Sequence, residues 1–319
     1  PPICFGWIWN KNEMKRLGGF LMNSNTTLKQ LLKEGRVFAP CIWDCMSAKA
    51  AEMAGFKATL LSSGCMSFSM QGMPDLGLLT LDEVLMMTER ITNISPLPLI
   101  VDAEDGYGDS PINAYMTAKR MAKAGASAIT LDDTTGLRGW QRVLSGQQAE
   151  YEVVPMNEWL AKVKAAVDAT EGTDCMVIAR TEAMYKYGID EAIERCVRAE
   201  EIGAPMTLVI GLTNIDQCKK VNERVRGLKM YPDVFSHNGK PDVILSEVEP
   251  LGFKLVTAHC LETGAMRGMV EYGIENCRNE NTLYSQEQGM GDKIPMTRDP
   301  FGKMKWIEME NEYIKMFQE

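Results

Sequence analysis

The segment 97–132, LPLIVDAEDGYGDSPINAYMTAKRMAKAGASAITLD, decides the fold. It opens on a short apolar run, Leu97–Asp102, and closes on another, Ala126–Asp132. Between them, Ile112–Ala124 carries apolar residues at helical spacing, and Gly125 stands where a helix ends on a left-handed residue. Strand, helix and strand in this order and length form a parallel βαβ unit.

The same alternation continues in both directions. Val37–Ile42, Ala58–Ser62, Cys175–Arg180, Met206–Gly211, Leu228–Tyr231 and Phe253–Ala258 read as further strands, which brings the count to eight. Helical stretches separate them: Ser47–Ala54, Leu81–Ile94, Asn157–Ala169, Asp190–Ile202 and Ile215–Val225. Gly55, Gly203 and Gly252 repeat the position of Gly125. Eight such units favour a closed (β/α)8 TIM barrel over an open doubly wound sheet. Residues 303–317, KMKWIEMENEYIKMF, add one amphipathic helix. The expected organisation is a barrel over 22–275 and a C-terminal helical extension over 276–319, with no linker between domains.

Residues 1–21, PPICFGWIWNKNEMKRLGGFL, show neither period. They read either as a disordered tail or as a non-native leader. Arg16 to Met22 can be encoded as AGA TTA GGA GGT TTT TTA ATG, which places a ribosome-binding AGGAGG before a start at Met22.

Composition narrows the function. With 34 basic and 43 acidic side chains the net charge is −9, and no cationic excess exists to displace counterions from nucleic acid. No apolar run approaches the ~20 residues that span a bilayer, so no membrane partner is expected. The nine Cys include no CxxC pair and read as free thiols of a reducing, cytoplasmic setting. Only two His are present, so a metal here is expected to be a hard ion held by carboxylates.

Barrel chemistry sits at the carboxyl ends of the strands. The residues there are Trp43-Asp44, Ser62-Ser63-Gly64, Asp102-Ala103-Glu104-Asp105-Gly106-Tyr107-Gly108, Asp132-Asp133 and Arg180-Thr181-Glu182. Several carboxylates with one arginine describe a Mg2+ or Mn2+ site. The same residues also suit a solvated acidic rim whose Asp side chains cap helices.

From about Leu28 to Met269 the chain resembles the isocitrate lyase/phosphoenolpyruvate mutase superfamily, in particular methylisocitrate-lyase-like proteins. The resemblance rests on Ala39-Pro40-x-x-Trp43-Asp44, Gly72-Met73-Pro74-Asp75-Leu76-Gly77, Asp102-Ala103-Glu104-Asp105-Gly106-Tyr107-Gly108 and Ala179-Arg180-Thr181-Glu182-Ala183. It implies a (β/α)8 barrel whose last helix is exchanged between subunits of a homodimer or homotetramer. It also implies a divalent metal, usually Mg2+, that binds a 2-oxo or 2-hydroxy carboxylate. Asp102 falls on the direct metal ligand; Glu104, Asp132 and Asp75 fall on carboxylates that hold the metal or its waters. Ser62, Ser63 and Gly64 fall on the loop whose N–H groups receive the substrate carboxylate, and Arg180 on its arginine partner. Trp43, Asp44 and Tyr107 face the substrate in this reading, and Glu182 accompanies Arg180.

The chain departs from the pattern in the loop after the fourth strand. The lyases carry Lys-[Lys/Arg]-Cys-Gly-His there, with Cys as the proton donor. This chain has Thr134-Thr135-Gly136-Leu137-Arg138-Gly139-Trp140-Gln141-Arg142, with neither Cys nor His. The phosphoenolpyruvate mutase loop pattern is absent too. Glu104 and Asp132 exchange the usual Asp and Glu, and Ile210 stands where the lyases have Glu. Asp233 falls near a substrate-binding Asn, with His237 close by as an alternative acid/base. Arg138 and Arg142 lie on a Gly-rich loop that could close over an anionic substrate.

The expected activity is Mg2+-dependent carbon–carbon cleavage or decarboxylation of a small 2-oxo or 2-hydroxy di- or tricarboxylate, through an enolate-type intermediate. Two alternatives stand beside it: phosphonopyruvate-type P–C bond mutase or hydrolase chemistry, and a catalytically degenerate barrel that only binds carboxylates.

Overall fold

A computed structural model describes residues 26–134, 152–234, 236–237, 240–279 and 301–317. Eight strands close into a barrel: β1 (Val37–Ile42), β2 (Thr59–Leu61), β3 (Leu99–Asp102), β4 (Ala128–Leu131), β5 (Met176–Thr181), β6 (Met206–Val209), β7 (Leu228–Tyr231) and β8 (Phe253–Ala258). Every neighbouring pair is parallel. β1 and β8 close the ring, with Val37 opposite Leu255 and Pro40 opposite Ala258.

All eight expected strands are present, and β1, β7 and β8 keep their expected bounds. The helix over Leu81–Ile94 does so too, capped by Thr80 and Glu83 in a reciprocal box. Gly55, Gly125, Gly203 and Gly252 all take positive φ, between 85° and 98°. Pro111–Lys123, Met156–Thr170, Ile189–Glu201 and Ile215–Arg224 shift from expectation by a residue or so at their ends, where helices fray. Several short elements escape sequence periodicity: Leu28–Glu34, Ser63–Met66, the π-turn Ser67–Gln71, Met184–Tyr187 and the hairpin Ser236–His237/Lys240–Pro241.

Strand alternation builds two layers. Ala39, Cys41, Leu60, Ile100, Ala128, Met176, Ile178, Met206, Leu208, Met230 and Leu255 fill the barrel, together with Leu28, Leu31 and Leu32 of the first helix. Their neighbours Ile42, Leu61, Leu99, Val101, Ile129, Leu131, Val177 and Ala179 face outward and pack against helices. Truncating one of these fully buried aliphatics to Ala costs ~2–5 kcal/mol.

The chain divides into a unit running to Glu262 and one from Thr263 to Glu319. The second contains most of helix Cys260–Asn279 and helix Lys303–Lys315. It exposes Met266, Met269, Tyr272, Met304, Trp306 and Phe317. Among the described residues, no helix is long and apolar enough to cross a membrane. The segments 1–21 and 135–151, with Arg138 and Arg142, lie outside the described residues.

Candidate active site

Strand parity decides which side chains reach the barrel mouth. Cys41, Leu60, Ile100, Ala128, Ile178 and Leu255 point inward. With a period of two, Trp43, Ser62, Asp102, Thr130, Arg180 and Thr257 follow on the same side, then Asp132 and His259. The carboxyl ends of six strands thus deliver one polar ring.

Asp102 is the most heavily contacted member. Its Oδ1 accepts from Thr130 Oγ1 at 3.0 Å and from the Glu104 N–H at 3.3 Å. Its Oδ2 accepts from Ser63 Oγ at 3.1 Å and from Arg180 Nη1 at 3.5 Å. Ser63 is thus tied to the rim through its hydroxyl. Arg180 also donates through Nε to Glu182 Oε1 at 3.1 Å and through Nη2 to the same oxygen. Burial pulls the guanidinium pKa down, but Glu182, Asp102 and Asp132 outweigh it and hold the group firmly cationic. Glu182 is buried and positions Arg180.

A second buried network lies beneath this pair. Asp133 accepts from the Glu182 N–H at 2.8 Å, Thr181 Oγ1 at 2.6 Å and Arg195 Nη1 at 3.1 Å. Burial pushes its carboxyl up to about 6, against the pull of those donors. Asp132, the other half of the pair, is also buried, and its Oδ1 accepts from the Thr134 N–H at 3.1 Å and hydroxyl at 2.7 Å.

The loop after β3 is backbone-strained. Glu104 and Tyr107 have φ of 51° and 57°, values that non-glycine residues adopt at a cost. Asp105 Oδ1 accepts from the Tyr107 N–H at 2.9 Å, and the Glu104 carbonyl accepts from the Asp132 N–H at 2.8 Å. The strain thus ties the third and fourth strand ends together. The Tyr107 hydroxyl is buried without a hydrogen-bond partner among the described residues. Burial, then Glu104 and Asp102, raise its pKa, so the phenol stays neutral.

The remaining expected residues divide. Gly64 lies close to Asp75, and a Cβ there would meet Asp75 Oδ2 at 3.2 Å. Asp75 Oδ1 is buried with no hydrogen-bond partner among the described residues. Ser62 caps the short helix after β2, its Oγ accepting from the Cys65 N–H at 3.2 Å. Asp44 is committed to a helix cap, accepting from Ser47 N–H at 2.7 Å and Ser47 Oγ at 2.8 Å. Trp43 packs partly buried between the interior and outer layers. His237 belongs by its backbone to the hairpin opposite Lys240.

Sequence reasoning missed His259. It carries no motif, but it lies two residues past the inward-facing Thr257, so parity alone could have found it. Its Nδ1 pairs with Asp233 Oδ2 at 2.7 Å and its Nε2 lies 3.3 Å from Ser62 Oγ. Asp233, expected near a substrate group, is thus the partner of an imidazole.

A polar ring of this composition at the mouth of a (β/α)8 barrel invites comparison with known proteins. The sequence pattern of the phosphoenolpyruvate phosphomutase family matches residues 28–272. The chain belongs to this family. It is 34% identical over 238 residues to petal death protein of Dianthus caryophyllus, spanning 74% of this chain and 72% of that protein. It is 32% identical over 235 residues to 2,3-dimethylmalate lyase of Eubacterium barkeri, spanning 73% of this chain and 79% of that protein. A crystal structure of 2,3-dimethylmalate lyase superposes with a TM-score of 0.76 at 26% identity, covering 90% of this chain and 97% of that one. Phosphonopyruvate hydrolase in complex with oxalate and Mg2+ superposes with a TM-score of 0.75 at 25% identity, covering 92% of this chain and all of that one. The family membership agrees with the resemblance read from the motifs, and the barrel with the fold it implied.

Proposed function

We propose that this chain is a divalent-metal-dependent carbon–carbon lyase or decarboxylase acting on a small 2-oxo or 2-hydroxy di- or tricarboxylate. The observation that carries this reading is the meeting of Asp102, Ser63 and Arg180 at the barrel mouth: a fixed carboxylate, a hydroxyl and a guanidinium. The relative named 2,3-dimethylmalate lyase supports the substrate class.

The residues present fit a hard cation. Their donor set is all oxygen, from Asp102, Glu104, Asp132 and Asp75, and Asp75 Oδ1 is an orphaned buried acceptor. Asp102 would hold Mg2+ or Mn2+ directly, and Glu104, Asp132 and Asp75 would hold it or its waters. The Arg180 contact to Asp102, at 3.5 Å, is the longest of the four and the first to yield. A bound Mg2+ supplies Lewis-acid stabilisation of the enolate oxygens.

The protein groups supply the rest. Arg180, oriented by Glu182, meets the substrate carboxylate with its planar fork. The first-turn N–H groups of Ser63 and Gly64 point along the helix axis and receive the same anion. These donors are fixed before reaction, so negative charge develops where positive potential already stands. Tyr107, neutral and buried, offers its hydroxyl proton as a hydrogen bond to the reacting oxygens. Trp43 shapes the wall of the pocket, Asp44 acts through its helix cap, and His237 belongs to the hairpin opposite Lys240. With no Cys or His in the Thr134–Gln148 sequence, decarboxylation gains weight, because it forms an enolate directly and solvent can return the proton.

The setting completes the proposal. A barrel over 22–275 with an extension over 276–319 and a leader over 1–21 is the domain organisation we favour. The exposed apolar side chains after Thr263 suit a homodimer or homotetramer. The free, mostly buried cysteines suit a cytoplasmic enzyme without nucleic-acid or membrane partners.

Asp102→Ala tests the reading. Loss of a metal ligand that stabilises the transition state by ~4 kcal/mol lowers kcat/KM ~10³-fold. Chelation of the unmutated protein should do the same, with Mg2+ restoring it. Turnover that survives both would end the metal-dependent reading.

A further inference from the structure

The mouth of the barrel holds a second group of ligating side chains, unlike the first in chemistry. Cys65 follows β2, and His259 and Glu262 follow β8. One ligand atom from each lies within 4.8 Å of the other two. Cys65 Sγ donates to Glu262 Oε2 at 3.2 Å. Cys41 and Asp233 form another such triple with the same imidazole. Among the described residues, the triples this tight both contain His259. Part of Asp233 is orphaned as well: its Oδ1 is buried without a hydrogen-bond partner among the described residues.

We propose that Cys65, His259 and Glu262 form a cation site separate from the oxygen rim, for a thiophilic divalent ion such as Zn2+. Ligand type sets the preference. Thiolate and imidazole select borderline-soft ions, whereas carboxylates alone select Mg2+ or Mn2+. Around tetrahedral Zn2+, with bonds of ~2.0–2.3 Å, ligand atoms stand ~3.5 Å apart, so the present spacing needs only small side-chain movements.

The second contact of the imidazole favours the same assignment. Asp233 at 2.7 Å holds the Nδ1 proton, and Nε2, 3.3 Å from Ser62 Oγ, is the nitrogen that would turn to the ion. A carboxylate on the far nitrogen fixes the tautomer and ring orientation of metal-ligating histidines. Binding expels the Cys65 thiol proton and any proton on Nε2 to solvent; the thiolate and the Glu262 carboxylate then balance the divalent charge. Three protein ligands leave one position open. The ion would join the β2 end to the β8 end beside Ser62, and so stiffen the loop that carries Ser63 and Gly64.

The test uses the full chain, stripped of metal and then saturated with Mg2+ to occupy the oxygen rim, with Co2+ as the probe. A near-ultraviolet sulfur-to-cobalt charge-transfer band should saturate at one equivalent and be displaced by Zn2+. Cys65→Ser should abolish it, Glu262→Gln should weaken Co2+ binding by at least ~10-fold, and Asp102→Ala should leave it in place. The absence of a band in the unmutated protein, or its survival in Cys65→Ser, overturns the proposal. Cys65 is buried, so circular dichroism must show that its variant folds. Glu262 is only partly buried and carries the test if it does not; an unchanged Co2+ affinity in Glu262→Gln would overturn the proposal equally.

Discussion

The barrel mouth has two halves that differ in donor chemistry. On the side of β3, β4 and β5, Asp102, Glu104, Asp132 and Arg180 present oxygen acceptors around one guanidinium. On the side of β7, β8, β1 and β2, Asp233, His259, Cys41 and Cys65 present imidazole and sulfur. Strand parity delivers Asp102, Glu104, Asp132 and Arg180 to one half and Cys41 and His259 to the other, while Cys65 comes from the short helix after β2 and Asp233 from the turn after β7. One scaffold position can therefore carry hard or soft chemistry, and the residue at each strand end decides which.

Arg180→Ala is the sharpest way to break the oxygen half. It removes the cation that faces the substrate anion and frees Glu182 from its partner. We expect a loss of ~4 kcal/mol, near 10³-fold in kcat/KM and mostly in KM, with Arg180→Lys recovering only part. A normal KM in steady-state kinetics would contradict the assignment.

Asp133→Asn tests the network beneath that half. Asp133 and Arg195 are 0% and 4% exposed, so breaking the pair leaves the buried guanidinium to its Glu191 contact and costs ~3 kcal/mol in denaturant unfolding. The folded-state pKa, about 6, lies above the ordinary 3.8, so the folded chain binds this proton more tightly. The stability from that proton is full below 3.8 and lost as pH rises through 6. The asparagine cannot titrate, so the stability margin of the unmutated protein over it should narrow across that window. A margin that widens would reverse the sign.

Gly106→Ala strains the loop joining β3 to β4. Its φ is +92°, and a Cβ would meet the Ala114 Cβ and Leu131 Cδ1 at 3.1 Å. A cost of ~2 kcal/mol is expected, read as a lower melting temperature. The smallest effect belongs to the sulfur half. Burial pushes the Cys41 thiol up to about 12 and raises that of Cys65, while Cys260 is exposed. Iodoacetamide should label Cys260 before either; mass spectrometry showing Cys41 first would mean that the corner is open.

The two halves also differ in how far sequence alone discloses them. Asp102 to Gly108 is one contiguous phrase, and Arg180-Thr181-Glu182 another, so local motifs carried the oxygen half. The sulfur half is assembled from positions 41, 65, 233, 259 and 262, which only barrel closure brings together. Composition gave little hint of it: of the two His in the whole chain, only His237 is singled out as an acid/base, whereas His259 is the one that pairs with Asp233 beside Ser62. The strands were legible because short β-rich runs between amphipathic helices and C-terminal glycines leave one topology. The short helix Ser63–Met66 was not, because four residues are too few to show a helical period. The helical role of Asp44 stood beside a rim role as an alternative, because a capping carboxylate and a rim carboxylate look alike until Ser47 is placed beside it.

The most direct test of the central claim is product analysis with Mg2+ on oxaloacetate, malates, 2-methylisocitrate and phosphonopyruvate in one panel. Pyruvate, glyoxylate and phosphate are read from the same reaction. A carbon–carbon cleavage or decarboxylation product that depends on Mg2+ and vanishes in Asp102→Ala is expected. Phosphate release or phosphoenolpyruvate formation, with no carbon–carbon product, would contradict it.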